Sequence, residues 1–243
     1  PCDASTRYQL TAENAATAWR ANTRGVMVAS PANPTGEILS REQLAELAAL
    51  CRQHEGALIV DEIYHGLDYD EKASSVLEVE PEAFVLNSFS KYFGMTGWRL
   101  GWLVAPEWAV EPLERLAQNL FISMSTHAQY GALAAFEDAT LSTLEQRKGA
   151  FQDRRDYLFP ELQQLGFKLP HRPAGAFYLY ADCSELTDSA SRLAGDLLNE
   201  VGVAVTPGGD FGRFRGDEHI RFAYTTGMPQ LEDAVARLKR FLS

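Results

Sequence analysis

Short apolar runs alternate with amphipathic stretches along the first half of the chain. Four such runs predict strands, and they cover residues 26–29, 57–60, 83–86 and 100–105. Between the first two, Ser40 and Gln43 have the spacing of a capping box, which predicts the start of a helix with one apolar face. Strands that are apolar throughout and joined by helices are typical of a parallel sheet covered on both faces. We therefore expect an α/β fold built on a mostly parallel sheet flanked by helices.

Longer helical patterns dominate the second half of the chain. Residues 111–119, 127–139 and 141–165 predict helices, and Gly166 is placed to end the third. Short strands are then predicted at residues 176–181, 203–206 and 219–224, with helices at residues 189–201 and 230–242. The change in pattern places a domain boundary at Ala139. We expect residues 1–139 to form one domain and residues 140–243 a smaller α+β domain.

The composition disfavours several classes of protein. The chain has 22 lysine and arginine residues against 33 acidic ones, and this net charge of −11 makes nucleic acid or an anionic membrane surface a poor partner. It contains no run of about 18 apolar residues, and residues 1–10 lack the pattern of a secretory signal. The three cysteines are widely spaced, which fits a reducing compartment. We expect a cytoplasmic protein that acts on small molecules.

Two polar motifs directly follow predicted strands, at the edge where open α/β sheets bind ligands. In Ser-Pro-Ala-Asn-Pro-Thr-Gly, residues 30–36, the prolines and the glycine fix a turn that can aim the amide of Asn33 at a ligand. In Asp-Glu-Ile-Tyr, residues 61–64, the carboxylate of Asp61 can face the same crevice. Each motif alone has a simpler interpretation, because the first is often only a turn and the aspartate of the second often caps a helix. Their common position makes Asn33 and Asp61 candidate site residues.

The most specific motif surrounds Lys91, which lies in a loop between two predicted strands. Ser88 and Ser90 precede the lysine, and Arg99 follows it by eight residues. This arrangement suits an amine that attacks a carbonyl beside a bound phosphate, although most lysines are simply solvated. Arg221 interrupts the apolar strand His-Ile-Arg-Phe-Ala, where it could equally face solvent. Considered together, these residues extend the candidate site to four segments of the chain.

Together the four motifs resemble those of the fold-type I pyridoxal-phosphate enzymes, specifically the class I and II aminotransferases. The resemblance runs from about residue 26 to the C-terminus and implies an aminotransferase-type fold. It implies that Lys91 binds pyridoxal 5'-phosphate as a Schiff base and that Asp61 forms a salt bridge with the pyridine nitrogen. Asn33 and Tyr64 would donate hydrogen bonds to the phenolic oxygen of the cofactor. Lys91, Asp61 and Tyr64 are the catalytic residues that the resemblance implies.

The resemblance also implies which residues hold the two ends of the cofactor and substrate. Ser88, Ser90 and Arg99 would bind the phosphate of the cofactor, whereas Arg221, with Asn33, would bind the α-carboxylate of an amino acid. Arginine suits both sites, because its planar fork matches a phosphate or a carboxylate in two parallel hydrogen bonds. No metal site is predicted.

The implied activity is the transfer of an amino group between an L-amino acid and a 2-oxo acid by a homodimer. The motifs leave other functions open: a carbon–sulfur lyase, another reaction through a Cα carbanion, or a transcription regulator whose aminotransferase-like domain senses an amino acid. The family pattern has further parts upstream of residue 26, among them a glycine-rich turn and a stacking aromatic residue. We therefore expect this chain to be part of a longer protein, with residues 1–139 ending the large cofactor-binding domain, and to be poorly active alone.

Overall fold

The first half of the chain forms a four-stranded sheet in a computed structural model that describes residues 2–243. Its strands are β1 (Gly25–Ala29), β2 (Ala57–Asp61), β3 (Phe84–Ser88) and β4 (Gly101–Val104), in that spatial order. The first three strands are parallel, and β4 is antiparallel to β3. The mostly parallel sheet and the positions of its four strands were predicted correctly, to within two residues at each end.

Seven helices surround the strands in the described part of the chain. They are α1 (Ala12–Ala18), α2 (Arg41–Gln53), α3 (Glu107–Leu120), α4 (Thr126–Leu133), α5 (Asp138–Gln164), α6 (Ala190–Val201) and α7 (Met228–Leu242). Helix α2 begins as predicted, because the Ser40 hydroxyl accepts a hydrogen bond from the Gln43 amide and the Gln43 side chain accepts one from the Ser40 amide. This capping orients the apolar face of α2 onto the sheet, where Leu44 and Leu47 are fully buried.

The second half contributes an antiparallel sheet with its own apolar core. Strands β5 (Tyr178–Asp182), β6 (Thr206–Pro207) and β7 (His219–Ala223) lie in the order β5-β7-β6. Residues of α5, α6 and α7 pack against this sheet around Leu179 and Ile220, both fully buried. The strand predicted at residues 203–206 shrinks to two residues, and Pro207, which has no backbone N–H, cannot extend its pairing as a donor. The domain boundary at Ala139 stays a prediction.

Two features of the first sheet differ from expectation. Only β1 and β2 are joined by an α-helix, since a single 3-10 turn (Val76–Glu78) lies between β2 and β3. Strand β4 returns antiparallel after a connection of 12 residues (89–100), which is long enough for a reversal and contains no crossover helix. All four residues of β4 are exposed, so the prediction that both sheet faces are covered is wrong for this edge strand.

The helical pattern predicted at residues 127–139 is also interrupted. Helix α4 ends at Leu133, a 3-10 turn (Ala134–Phe136) follows, and extended backbone at Glu137 separates it from α5. Helix α5 then continues to Gln164, and Gly166 follows its end in a left-handed conformation, as predicted. No helix among residues 2–243 is long and apolar enough to cross a membrane.

A broad apolar surface lies on β4 and α3. We call it the β4–α3 face, and the exposed large apolar residues that line its depression are Trp102, Leu103, Val110, Leu116, Leu120 and Phe121. Soluble monomers rarely expose so many neighbouring apolar side chains, and larger patches of this kind mark contact surfaces. The face is therefore a candidate contact surface.

Arg155, on α5, ties three parts of the chain together inside the protein. Its side chain is fully buried, and its Nη1 donates to Asp70 Oδ2 at 2.7 Å and to the Pro173 carbonyl at 2.8 Å. Its Nε donates to Asp156 Oδ1 at 2.8 Å, and the guanidinium lies 4.9 Å from the centre of the Tyr69 ring. The loop after β2 and the segment before β5 are thus both held by one helix.

Replacing Arg155 with Met should lower the free energy of unfolding by about 3 kcal/mol, because the buried Pro173 carbonyl loses its donor and the exposed Asp70 carboxylate loses its ionic partner. Arg147→Met, at an exposed position of the same helix, is the matched control and should change it by less than about 0.5 kcal/mol. Denaturant unfolding of both variants measures the difference. Equal free energies of unfolding for the two variants would contradict the stabilising role of the Arg155 contacts.

Candidate active site

The predicted site residues meet where the carboxyl ends of the parallel strands face the second sheet. Asp61 is the last residue of β2, Ser88 is the last residue of β3, and Asn33 follows β1 by four residues. Arg221 reaches the same place from β7, and Lys91 from the loop between β3 and β4. Open α/β sheets bind ligands at this edge because successive strands leave a crevice there.

Lys91 lies in partly buried, electropositive surroundings. Its Nζ is 5.3 Å from the centre of the Tyr64 ring and 5.7 Å from that of Phe177. Burial lowers the pKa of Lys91, the positive charges of Arg221 and Arg99 lower it further, and the negative charge of Asp61 opposes them. A larger fraction of the amine is therefore neutral near pH 7 than for a solvated lysine, and the neutral amine is the nucleophile.

Asp61 is held in place by its own turn. The Ile63 amide donates a hydrogen bond to Asp61 Oδ1 at 3.1 Å. Burial raises the pKa of Asp61, while this hydrogen bond and the charge of Lys91 lower it. A cationic group of a ligand beside the Asp61 carboxylate would therefore bind favourably, because its charge would offset the cost of burying the negative charge of Asp61.

Tyr64 presents a neutral phenol to the site. Its side chain is buried, and its hydroxyl lies 2.9 Å from the hydroxyl of Tyr178. Burial is the main cause that raises the pKa of Tyr64 well above that of a solvated tyrosine, and the hydrogen bond with Tyr178 raises it further. Tyr64 therefore keeps its proton across the physiological pH range and can act as a hydrogen-bond donor.

Arg221 joins the two halves of the site. Its Nη1 donates to Asn33 Oδ1 at 2.7 Å, and its Nη2 donates to the Thr206 hydroxyl at 3.2 Å. The guanidinium lies between two aromatic rings, 4.3 Å from the centre of Tyr178 and 4.7 Å from that of Phe211. Its Nε is buried with no hydrogen-bond partner among residues 2–243. An unpaired buried donor on a fixed guanidinium fits an anionic ligand such as a carboxylate.

A glycine fixes the turn that carries Asn33. Gly36 has a φ of +69°, a conformation that other residues rarely adopt. A Cβ atom at this position would lie 2.6 Å from the Gly175 carbonyl oxygen, so the turn packs directly on the backbone before β5. The Asn33 amide is thereby brought within reach of Arg221.

The residues predicted to bind phosphate occupy the loop from Ser88 to Leu100. The Ser88 hydroxyl accepts a hydrogen bond from the Ser90 amide at 3.0 Å and donates to the Leu100 carbonyl at 3.2 Å. Arg99 has a φ of +54° and is exposed, and its Nη1 donates to the Thr96 carbonyl at 3.1 Å. It lines an open depression of about 660 Å³. This end of the site is thus shaped by backbone contacts and open to solvent.

Sequence reasoning missed several residues of the site, among them Phe177, Tyr178, Thr206 and Phe211. All four contact Lys91, Tyr64 or Arg221. The first two belong to Gly-Ala-Phe-Tyr-Leu-Tyr, whose aromatic side chains at the start of an apolar strand indicate a core. Nothing in that pattern distinguishes a packed tyrosine from one that faces a site.

Comparison with known proteins identifies the family. Residues 1–238 match the family model "Aminotransferase class I and II", and the chain therefore belongs to this family. It is 36% identical over 244 residues to the valine–pyruvate aminotransferase of Mycobacterium tuberculosis and 37% identical over 223 residues to the aspartate/prephenate aminotransferase of Thermus thermophilus. The crystal structure of an aminotransferase from Mycobacterium tuberculosis is similar throughout, with a TM-score of 0.95 at 37% identity. The predicted family and α/β fold are confirmed.

These relatives are longer than the chain. The alignments cover 100% and 90% of this chain but 63% and 57% of the two relatives, and 63% of the chain in the crystal structure. The chain thus spans about three fifths of the length of the proteins that it matches.

The two charges beside Lys91 should shift its pKa in opposite directions. Asp61→Asn removes an anion and should lower the pKa of Lys91 further, whereas Arg221→Met removes a cation and should raise it. The pH dependence of Lys91 modification by an amine reagent, followed by mass spectrometry, measures both shifts. Exposed Lys72 is the internal reference and should react equally in all variants. Shifts of the same sign would show that these charges do not act on Lys91.

Proposed function

We propose that the protein is a pyridoxal 5'-phosphate-dependent aminotransferase that transfers an amino group between an L-amino acid and a 2-oxo acid. The observation that carries the proposal is the environment of Lys91, which lies beside Asp61, Tyr64 and Arg221. Burial and the charge of Arg221 lower the pKa of its amine. Membership of the class I and II aminotransferases supports it. The similarity to two relatives that are both aminotransferases supports it as well.

The residues of the site fit this cofactor. Asp61 would pair with the protonated pyridine nitrogen, which would also offset the cost of its burial. Tyr64, which keeps its proton, would donate to the phenolic oxygen, with Asn33 beside it. Lys91 offers a nucleophilic amine for the aldehyde. When bound, the cofactor supplies an electron sink that stabilises negative charge at the substrate Cα.

The phosphate would lie at the open end of the site. Arg99 is exposed there and offers a planar fork, while the loop that Ser88 and Ser90 close presents backbone and hydroxyl groups. These assignments follow from the motif, and their support is the position of the loop at the carboxyl end of β3.

The chain's own residues would then carry out the transfer. Arg221 binds the α-carboxylate of the amino acid with its guanidinium, which Asn33 and two aromatic rings hold in one orientation. Lys91, with its lowered pKa, takes the proton from the substrate Cα through Nζ. Asp61 would hold the pyridine nitrogen of the cofactor in its protonated form. One lysine thus serves as attachment point and as base.

A transamination assay tests this function. The natural full-length protein, with pyridoxal phosphate, should move the nitrogen of a labelled amino acid to a 2-oxo acid, within a panel of aliphatic, aromatic and acidic donors. Lys91→Ala should reduce this transfer by at least about 1,000-fold, because the base is lost. Lys72→Ala, at an exposed position outside the site, is the control and should retain activity.

Two results would contradict the proposal. Release of ammonia, a thiol and a 2-oxo acid from a sulfur-containing amino acid, without transfer, would indicate a carbon–sulfur lyase; binding of an amino acid without turnover would indicate a sensing domain. Borohydride reduction followed by peptide mapping adds an independent readout, since the pyridoxyl label should be on Lys91. A label on another lysine would exclude the proposed role of Lys91.

The active protein is, in this proposal, a cytoplasmic homodimer. Its support is the β4–α3 face, whose many exposed apolar side chains require a covering surface. The net charge of −11 and the widely spaced cysteines fit a small-molecule enzyme of a reducing compartment.

Sedimentation equilibrium of the natural full-length protein should give twice the mass of one polypeptide. Leu116→Glu, which places a charge on the β4–α3 face, should shift the equilibrium towards monomer, and Glu111→Gln, at an exposed position of the same helix outside that depression, should not. A monomeric mass for the unaltered protein would refute the dimer.

A further inference from the structure

We propose that Tyr178 is a positioning residue that couples the two ends of the site: its hydroxyl orients the proton of Tyr64, and its ring holds the guanidinium of Arg221. This inference rests on the proposed function, because it assigns these two contacts to the cofactor oxygen and the substrate carboxylate. Tyr178 would not itself react with the substrate.

The first contact is a pair of buried phenols. The hydroxyls of Tyr64 and Tyr178 are 2.9 Å apart, and the two residues are only 2% and 6% exposed. Either hydroxyl can donate, but the pair shares one hydrogen bond and therefore uses one of its two protons. If Tyr64 donates to Tyr178, the hydroxyl proton of Tyr64 is not available to a ligand. Tyr64 can donate to a ligand oxygen only when Tyr178 becomes the donor within the pair.

Tyr178 therefore strengthens the hydrogen bond that Tyr64 gives to a ligand. A phenol that accepts a hydrogen bond is a better donor, because each bond in a chain polarises the next. These two linked hydrogen bonds would stabilise a negative oxygen of the cofactor beside Tyr64. They would therefore lower the pKa of the cofactor's titrating group, to which that negative charge is coupled. Loss of the Tyr178 hydroxyl should raise that pKa.

The second contact follows from strand register. Arg221 on β7 lies opposite Tyr180 on β5, so Tyr178 is its diagonal neighbour on the same face of the sheet. The guanidinium lies over the Tyr178 ring at 4.3 Å, and Phe211 covers it at 4.7 Å. The two rings restrict the position of the guanidinium, and the N–H groups that Asn33 and Thr206 do not use, Nε among them, remain available to an anion.

The two contacts can be separated by substitution, because one uses the hydroxyl and the other uses the ring. Tyr178→Phe removes the hydroxyl and keeps the ring, whereas Tyr178→Leu removes both. Tyr180→Phe is the matched control: it lies on the same strand face, but its ring stacks on His219 at 4.8 Å. Tyr180 pairs with Arg221 across the two strands, but its hydroxyl makes no hydrogen bond with the Arg221 guanidinium or with Tyr64.

The readouts are made on the natural full-length protein with pyridoxal phosphate bound. In Tyr178→Phe, the pH midpoint of the cofactor's visible absorbance should rise by about 0.5 unit, and KM for amino acids should stay unchanged. In Tyr178→Leu, the midpoint should rise equally and KM should increase about 3- to 5-fold for every amino acid, because the carboxylate is common to all. Tyr180→Phe should leave both values unchanged.

An absorbance midpoint that is unchanged in Tyr178→Phe would overturn the role of the hydroxyl. A KM that is unchanged in Tyr178→Leu would overturn the role of the ring, and equal effects of Tyr180→Phe would show that only the stability of the strand is at stake. If the unaltered protein shows no cofactor absorbance and no transfer, the proposed function itself fails; if it shows both and the variants behave as wild type, the inference about Tyr178 alone fails.

Discussion

Lys91 carries a charge that its surroundings disfavour. Burial and the cations Arg221 and Arg99 all lower its pKa, and Asp61 alone among its charged neighbours opposes them. The pKa of Lys91 depends on these charges staying in place, because each acts much more weakly on the amine once water lies between them. The other contacts of the site act largely to keep these charges at fixed positions around one amine.

That requirement explains why the site draws on both sheets. Arg221 comes from the antiparallel sheet and donates to Asn33, which the Gly36 turn carries from the parallel one. Arg155 also holds the two sheets relative to each other, because it donates hydrogen bonds to the loop after β2 and to the Pro173 carbonyl before β5. A change in either connection would move one charge relative to the other, and the pKa of Lys91 would follow.

Local signals were sufficient for much of the fold and for the residues that carry chemistry. The capping box at Ser40 and the glycine after α5 act within one turn of chain, so their neighbours in sequence determine them. Lys91, Asp61 and Asn33 could be predicted because their motifs lie directly after strands. The structure brings these three residues together, whereas their individual roles stay predictions.

Features that depend on distant partners could not be predicted in this way. The antiparallel direction of β4 depends on how a 12-residue loop returns along β3. Tyr178 looked like part of a core, and its contact with Arg221 depends on the pairing of β5 with β7 across about 40 residues. Aromatic residues in strands are therefore the places where a sequence pattern least separates packing from function.

The two ends of the site differ in how far the protein has organised them. At the amine end, Tyr64 is buried, and Arg221 is fixed by hydrogen bonds and two rings, so little motion is left to lose when a ligand binds. At the other end, Arg99 is exposed beside an open depression, and the strand that follows it, β4, belongs to an uncovered apolar face. Arg99 lines the same depression as Phe121, a residue of the β4–α3 face, so a surface that covers this face would also lie beside Arg99. If Arg99 binds phosphate as proposed, that binding and the burial of the β4–α3 face would be physically linked, and each would strengthen the other.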